Sequence, residues 1–362
     1  MKFNRLILAT LAATGVLAAA SLTSGMQAGK ADMKSAGPLA FGPEGILFAG
    51  DPIGAQIFAF DTGDAKAGKG TGETNLPGLQ EKIAAHLGSS ADQILVNDLA
   101  VNPLSKTIYL SVQRGRGPDA VPVILRIRDG KIEDLKLDAI RHSSASLQNA
   151  PAADAKDQRG QSKRSEAITD LAFLDGKVIV AGLSNEEFAS TLRTIDFPFA
   201  KSNTSTNVEI FHGAHGRYET NAPVRTFTTY NIGSQPQILA AYTCTPLVRI
   251  PVSDLKAGSK IMGTTIAELG NRNRPIDMIV YKKGGADFIL MNNSSRGVMK
   301  MSAANLESYQ PITKPTDVTG VPYETIAAWK GVEQLDRFDD THALMLIRTA
   351  AGGLDLQKVA LP

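Results

Sequence analysis

Short runs of alternating apolar and polar residues recur along most of the chain, separated by turns rich in glycine, aspartate and asparagine. Each unit has a short apolar strand, a turn, a second apolar strand ending in small residues, a polar loop and a third alternating strand. The units span 38–61, 98–127, 168–197, 224–250, 276–301 and, more weakly, 325–359. In the weak sixth unit, the first strand is predicted at Thr325–Trp329.

The spacing of the units indicates the architecture. Their second strands begin near residues 46, 107, 177, 237, 288 and 343, a period that suits propeller blades with insertions and exceeds helical-repeat periods. The pattern therefore predicts an all-β chain, a β-propeller of six blades forming a single domain over 37–362. Seven blades would follow if residues 203–230 formed more than a blade edge. A pair of β-sandwiches, the alternative, does not explain six similar units.

Two insertions interrupt the repeat, at 62–94 and 139–167. The first contains a predicted helix over Pro77–Leu87, with Gly88 as its stop and His86 as a surface or packing histidine. The second includes His142–Glu166, which is rich in Ser, Ala, Gln and charge and has almost no large apolar residue. We expect it to be a mobile loop or locally disordered.

The first 28 residues are typical of a secretory signal peptide. Lys2 and Arg5 precede an apolar run from Leu6 to Ala20, which is shorter than a membrane span requires. Cleavage after Ala20 or after Ala28 fits the small residues that follow. No later segment reaches membrane-span length, so the sequence predicts a periplasmic or secreted soluble protein with no transmembrane span.

Charge and cysteine content narrow the function classes. The chain has 38 Lys plus Arg and 36 Asp plus Glu, and removal of residues 1–28 takes away two positive charges, which leaves no net charge. Nucleic acid is therefore excluded as a partner, because its binding requires a positive surplus. Cys244 is the only cysteine, so an internal disulfide is impossible. We expect a monomer whose partner is a small molecule or a protein that the sequence does not identify.

The segment Leu39-Ala-Phe-Gly-Pro-Glu-Gly-Ile-Leu-Phe-Ala-Gly-Asp51 resembles blade junctions of secreted propellers of the YVTN, NHL and lactonase type. The resemblance covers most of the chain as a strand pattern only. There is no Trp-Asp blade ending and no kelch Gly-Gly signature, and Trp329 is the single tryptophan. At the level of architecture, the resemblance implies a propeller and, for the lactonase type, a Ca²⁺ ion held by carboxylates.

A cysteine and two histidines form the first candidate site. In a propeller, loops between second and third strands emerge on the same face as the connections between blades. This rule places Cys244, in the loop Tyr242–Pro246, close to His212 and His215 of the preceding connection. One thiolate and two imidazoles suit copper or zinc, with a fourth position open. Alternatively, Cys244 is a nucleophile activated by a histidine, or a small buried residue beside surface histidines.

Acidic and basic residues supply two further candidates. Asp98, Asp170 and Asp277 occur at equivalent strand positions in three units, where they either hold Ca²⁺ at the channel mouth or set the local turn geometry. Arginines in the loops either recognise an anionic small molecule or are solvated; they are Arg114, Arg116, Arg272, Arg274 and Arg296.

Three functions remain open at this point. The first is a propeller that binds a ligand or partner on its loop face, with a Cys/His copper or zinc centre. The second is a metal-dependent hydrolase of the lactonase type that uses calcium. The third is a scaffold or interaction protein without site chemistry. The sequence does not decide whether the protein is an enzyme.

Overall fold

The computed structural model describes residues 22–70, 72–199 and 203–362, with only the backbone of Asn203. Within these residues, six small blades of antiparallel strands surround a central channel, and their innermost strands contact one another in a closed ring. The prediction of an all-β propeller with six blades and one short inserted helix is confirmed. Blades I to VI are numbered here in the order in which the chain enters them.

The strands follow the predicted units closely. Blade I begins with β1 (Gln27–Gly29), β2 (Leu39–Phe41), β3 (Ile46–Asp51) and β4 (Gln56–Asp61). Blade II comprises β5 (Ile94–Val101), β6 (Ile108–Arg114), β7 (Val121–Arg128) and β8 (Lys131–Asp134). Strand β9 (Ile140–Ser146) then returns to blade I. Blade III comprises β10 (Asp170–Leu174), β11 (Lys177–Leu183), β12 (Ser190–Asp196) and β13 (Asn203–His212), with β14 (Arg217–Glu219) at its edge.

The remaining blades are built in the same way. Blade IV comprises β15 (Val224–Ile232), β16 (Gln235–Tyr242), β17 (Pro246–Pro251) and β18 (Lys260–Leu269), and blade V comprises β19 (Pro275–Lys283), β20 (Ala286–Asn293) and β21 (Gly297–Ser302). Then β22 (Val318–Gly320) pairs with β18, β23 (Tyr323–Thr325) completes blade V, and blade VI comprises β24 (Val332–Arg337), β25 (His342–Arg348) and β26 (Leu354–Ala360).

The order of blades around the channel differs from their order along the chain. Across the described residues, six hydrophobic clusters each join two neighbouring blades, and together they give the ring I, III, IV, V, VI, II. The chain leaves blade I for blade II, returns through β9, and then runs round the other side to blade VI. Blade VI therefore closes the ring against blade II.

The second insertion was expected to be mobile, and this expectation is wrong for its beginning. Strand β9 pairs with β4 from Gln56↔Ser146 to Phe60↔His142 and forms an outer strand of blade I. Its sequence is mostly polar because only Ile140 and Ala145 of the strand are buried. An outer strand exposed on one face lacks the apolar alternation that identifies inner strands.

The sixth inner strand was also predicted in the wrong place. Residues Tyr323–Thr325 form the outer strand of blade V, where they pair with β21. The inner strand of blade VI is β24, whose polar residues Glu333, Gln334 and Asp336 hide its strand character in the sequence. Its place is decided by pairing with β25 and by packing against β19 and β5.

The first insertion helps to close the ring. Helix α1 (Leu79–His86) buries Leu79 and Ile83 against blades II and VI, which confirms the predicted helix. Just before it, Leu76 bridges to Leu356 of β26 through reciprocal backbone hydrogen bonds. This bridge covers the outer edge of a blade that has three strands in the described chain, and a covered edge resists pairing with other molecules.

Four carboxyl groups clamp neighbouring inner strands inside the channel. In each case, one oxygen accepts the N–H of the following residue and the other accepts an N–H of the next inner strand. These second bonds run from Leu39 to Asp98 (2.6 Å), from Phe227 to Asp170 (2.7 Å), from Leu335 to Asp277 (2.9 Å) and from Val101 to Asp336 (2.7 Å). The contacts fasten four junctions of the ring.

The outer edges of blades III and IV are also joined. Strand β13 pairs in parallel with β18, from Asn207↔Lys260 to Ile210↔Gly263, so the two blades share one continuous sheet. The pairing brings the end of β13, at His212, beside the end of β18, at Glu268. Two blade edges and the intervening connection thus meet at one place on the loop face.

The predicted signal peptide lies largely outside the described residues, and its cleavage site stays a prediction. The described chain begins at Leu22, and Gln27–Gly29 pairs with residues 140–142 of β9. Among the described residues, no helix combines the length and apolarity that a membrane crossing would require.

Candidate functional site

The structure brings Cys244, His212 and His215 together. One potential ligand atom of each side chain lies within 4.8 Å of those of the other two, and the two imidazole centroids are 3.9 Å apart. Among the described residues, this is the group of three or more Cys, His, Asp or Glu side chains whose spacing suits a metal ion. The loop-face rule therefore predicted a real juxtaposition.

The two histidines lie in one short segment in which the chain reverses direction. His212 ends β13, a short 3-10 turn spans Gly213–His215, and Gly216 takes a left-handed conformation at φ 65°. Glycine adopts this conformation without steric cost, so the chain can reverse at once into β14. The turn places the two rings against each other.

Glu219 orients both imidazoles. Its Oε2 lies 2.8 Å from Nδ1 of His212, and its Oε1 lies 2.7 Å from Nδ1 of His215. Burial raises the pKa of Glu219, but hydrogen bonds from His212, His215 and Arg217 and the charge of His212 outweigh it and hold this pKa at about 2. An ionised carboxylate at both Nδ1 atoms leaves both Nε2 atoms available to a metal ion, the arrangement that orients metal-binding histidines.

The Nε2 atom of His212 is the unexplained feature of the site. His212 is 1% exposed, and its Nε2 has no hydrogen-bond partner. A buried polar atom left without a partner costs on the order of 1–3 kcal/mol. A metal ion between Nε2 and the thiol would satisfy this atom.

Cys244 is held in an uncommon backbone conformation. Both Cys244 (φ 66°) and Thr245 (φ 57°) lie in the left-handed region, which costs a β-branched residue such as threonine the most. The turn is held by the Cys244 N–H, which donates to the carbonyl of Asn273 at 2.6 Å, and by the Thr245 hydroxyl, which donates to the carbonyl of Gly270 at 2.8 Å. The connection between blades IV and V thus holds the backbone that carries the thiol.

A second buried carboxyl group stands beside the histidine turn. Glu268 is fully buried; its Oε1 accepts the N–H of Gly213, while its Oε2 has no partner. Burial raises the pKa of Glu268 to about 7; the Gly213 and Ala214 N–H groups oppose this rise, and the charges of Asp317 and Glu219 add to it. Two unpartnered atoms, one imidazole nitrogen and one carboxyl oxygen, therefore flank the same turn.

Neither family models nor curated proteins match this chain. Among solved structures, the chain is similar to a protein from Thermus thermophilus described as an oxidoreductase (glucose dehydrogenase), with a TM-score of 0.32 and 11% identity. The match covers 92% of this chain and 100% of the other. At that score the likeness carries no argument, so the function has to be inferred from the site.

The channel aspartates show no spacing suited to a metal ion in the described chain. Asp98, Asp170 and Asp277 lie on three inner strands and belong to no group with ligand spacing. Both oxygens of each accept backbone N–H groups. Their arrangement supports the alternative in which such aspartates set local geometry. The calcium hypothesis therefore gains no support from this geometry.

The predicted loop arginines separate into different environments. Arg114 and Arg116 bond to the carbonyls of Leu87 and Asp92 near the inserted helix, and Arg296 bonds to the carbonyl of Asn271. Arg272 and Arg274 are both exposed, and Arg274 also lines a cavity over the channel together with Arg225, which the sequence did not single out.

Three functional candidates were missed in the sequence, and only one had a local signal. Glu219 follows the two histidines at a spacing of four residues from His215, so the run His-x-x-His-x-x-x-Glu contained it. Glu268 and Asp336 had no such signal, because their surroundings are created by pairing between distant strands.

Proposed function

We propose that this protein is an exported propeller that holds one copper or zinc ion on its loop face, at the junction of blades III and IV, and binds a ligand or partner there. The ion is bound by the Cys244 thiolate and by Nε2 of His212 and of His215. The single observation that carries the proposal is the buried, unpartnered Nε2 of His212 beside a thiol and a second imidazole. Thiolate and imidazole donors favour copper and zinc over calcium and magnesium.

The test is metal content, measured by mass spectrometry on protein purified from its own compartment without chelator or affinity tag. We expect about one equivalent of copper or zinc per chain, as a single three-residue centre implies. If neither metal is found, and the metal-free protein fails to take up either one at micromolar concentration, the proposal is wrong.

Glu268 is the residue we propose to position the histidine turn, because its Oε1 accepts the N–H of Gly213. It is not among the side chains whose spacing suits a metal ion. The three donors therefore leave the fourth position of a zinc ion open for a ligand, and a copper ion accepts three donors with a weak axial group.

We expect Glu268→Ala to weaken zinc binding by about tenfold or more, because the Gly213 N–H of the histidine turn loses its acceptor. Glu268→Gln keeps an acceptor for this N–H and should retain most of the affinity. Glu209→Gln, on the same strand as His212 but three residues earlier, is the matched control and should bind zinc like the wild type. Competition with a chromophoric chelator measures the affinities. Unchanged zinc affinity in Glu268→Ala would exclude this positioning role.

A further inference from the structure

A cavity of about 720 Å³ lies over the channel mouth, on the face that carries the candidate metal centre. Strand ends and loops of blades I to V contribute to its wall, among them Pro38, Asn97, Thr169, Thr243 and Arg274. Its volume lies within the range of small-molecule sites, about 300–1,000 Å³. Thr243 precedes Cys244 in the same loop, so the cavity adjoins the loop that carries the thiol.

Three guanidinium groups line this cavity together with two carboxylates, namely Arg159, Arg225 and Arg274 with Asp157 and Glu166. Arg225 donates from Nη1 to Oε1 of Glu166 at 2.6 Å and from Nε to the Thr243 hydroxyl at 3.0 Å. The guanidinium of Arg274 has no hydrogen-bond or ion-pair partner among the described residues. Partial desolvation lowers the pKa of Arg274, the charge of Arg225 lowers it further, and the charge of Glu166 opposes both. Three arginines against two carboxylates leave the cavity one positive charge in excess, and Arg274 is not paired with either carboxylate.

We propose that the cavity binds a small organic anion, with a carboxylate or phosphate group paired to Arg274 and Arg225. Guanidinium groups bind such planar or tetrahedral anions through parallel charge-assisted hydrogen bonds. The side-chain amide of Gln113, which also lines the cavity and has no partner there, is placed to bond a polar part of the same molecule. This site is distinct from the metal centre and does not require the ion.

The test is isothermal titration of the full, metal-free protein with inorganic phosphate and, separately, with malonate, at low ionic strength. We expect one of the two probes to bind with one equivalent per chain. Arg274→Gln should weaken that binding by about tenfold or more, the effect of losing hydrogen bonds to a charged group. Arg272→Gln, two residues earlier on the exposed loop and outside the cavity, should bind like the wild type.

The binding of the probes to the wild type and to the variants tests the anion site. Failure of both probes to bind the wild-type protein overturns the proposal, and so does an equal loss in Arg272→Gln, which would indicate general surface charge. Arg274→Lys should retain part of the phosphate affinity, since it keeps the charge but loses the fork of donors. Unchanged binding in Cys244→Ala is expected, because the anion site stands whether or not the metal centre does. The probe that binds identifies the head group.

Discussion

Cys244→Ala should abolish binding of copper or zinc to this protein. Loss of a residue that merely orients a metal-binding histidine commonly weakens metal binding 10- to 100-fold, and loss of the thiolate should exceed this. Cys244 is the only cysteine, so no other thiol can replace it. We expect His212→Gln to have a comparable effect, because Nε2 of His212 is the most buried donor of the centre. Metal content after dialysis and zinc affinity by chelator competition are the measurements.

The matched control is His86→Gln. His86 is a surface histidine whose Nε2 pairs with Asp134 at 2.9 Å near the inserted helix, so its loss should leave the metal content unchanged. Circular dichroism and thermal unfolding of each metal-free variant establish that the fold persists. A Cys244→Ala protein that still carries one equivalent of metal would locate the ion elsewhere and refute the centre described above.

Metal-free protein should become less stable as the pH rises from 5 to 8. Burial raises the pKa of Asp170 to about 7 and of Asp336 to about 6, and raises the pKa values of Asp98 and Asp277 well above the ordinary range. The folded protein therefore holds protons that the unfolded chain has released above about pH 4. Stability that is full below pH 4 is lost as the pH passes through these raised values.

The size of the loss in stability follows from the pKa shift of Asp170. Its rise from 3.8 to about 7 corresponds to on the order of 4 kcal/mol in a dry interior. Part of this free energy is already lost below pH 5. The channel cavity of about 320 Å³ also admits water to the carboxyl groups, which reduces the effect. We therefore expect Asp170 alone to account for about 2 kcal/mol of lost stability between pH 5 and pH 8, and the four carboxyl groups together for more.

Urea unfolding at pH 5, 6, 7 and 8, in the presence of chelator, measures this dependence. Asp170→Asn should flatten the profile by about its own share, because the amide does not titrate. Asp254→Asn, an exposed aspartate on an outer loop, is the control and should leave the slope unchanged. A flat wild-type profile, or one that Asp170→Asn does not alter, would show that these carboxyl groups are solvated like surface groups.

The local alternation of apolar and polar residues was sufficient to predict most of the strands. Apolar residues that alternate over a few positions, bounded by glycine and aspartate turns, lie in strands whatever their neighbours, because one face of each strand must be buried. The inner and middle strands of blades II to V therefore appear within a few residues of their predicted positions. The helix also followed from its own residues, since Leu79 and Ile83 recur at helical spacing before Gly88.

The candidate metal centre was predictable only in part. The direction of successive strands decides which loops share a face, and this rule sufficed to associate Cys244 with His212 and His215. It does not say where outer strands meet. The parallel pairing of β13 with β18 brings Glu268 to the histidine turn, and that contact joins residues 55 positions apart.

The amino-acid sequence alone specified the strand repeat, which depends on local periodicity. It also specified that one thiol and two imidazoles share a face, because this depends on the direction of successive strands. The circular order of the blades, the return of β9 to blade I, the fourth channel aspartate and the carboxyl groups around the histidines depend on the folded molecule. Polar outer strands such as β9 and polar inner strands such as β24 gain their place from hydrogen bonds and packing with distant segments. Those long-range contacts have no counterpart in local alternation.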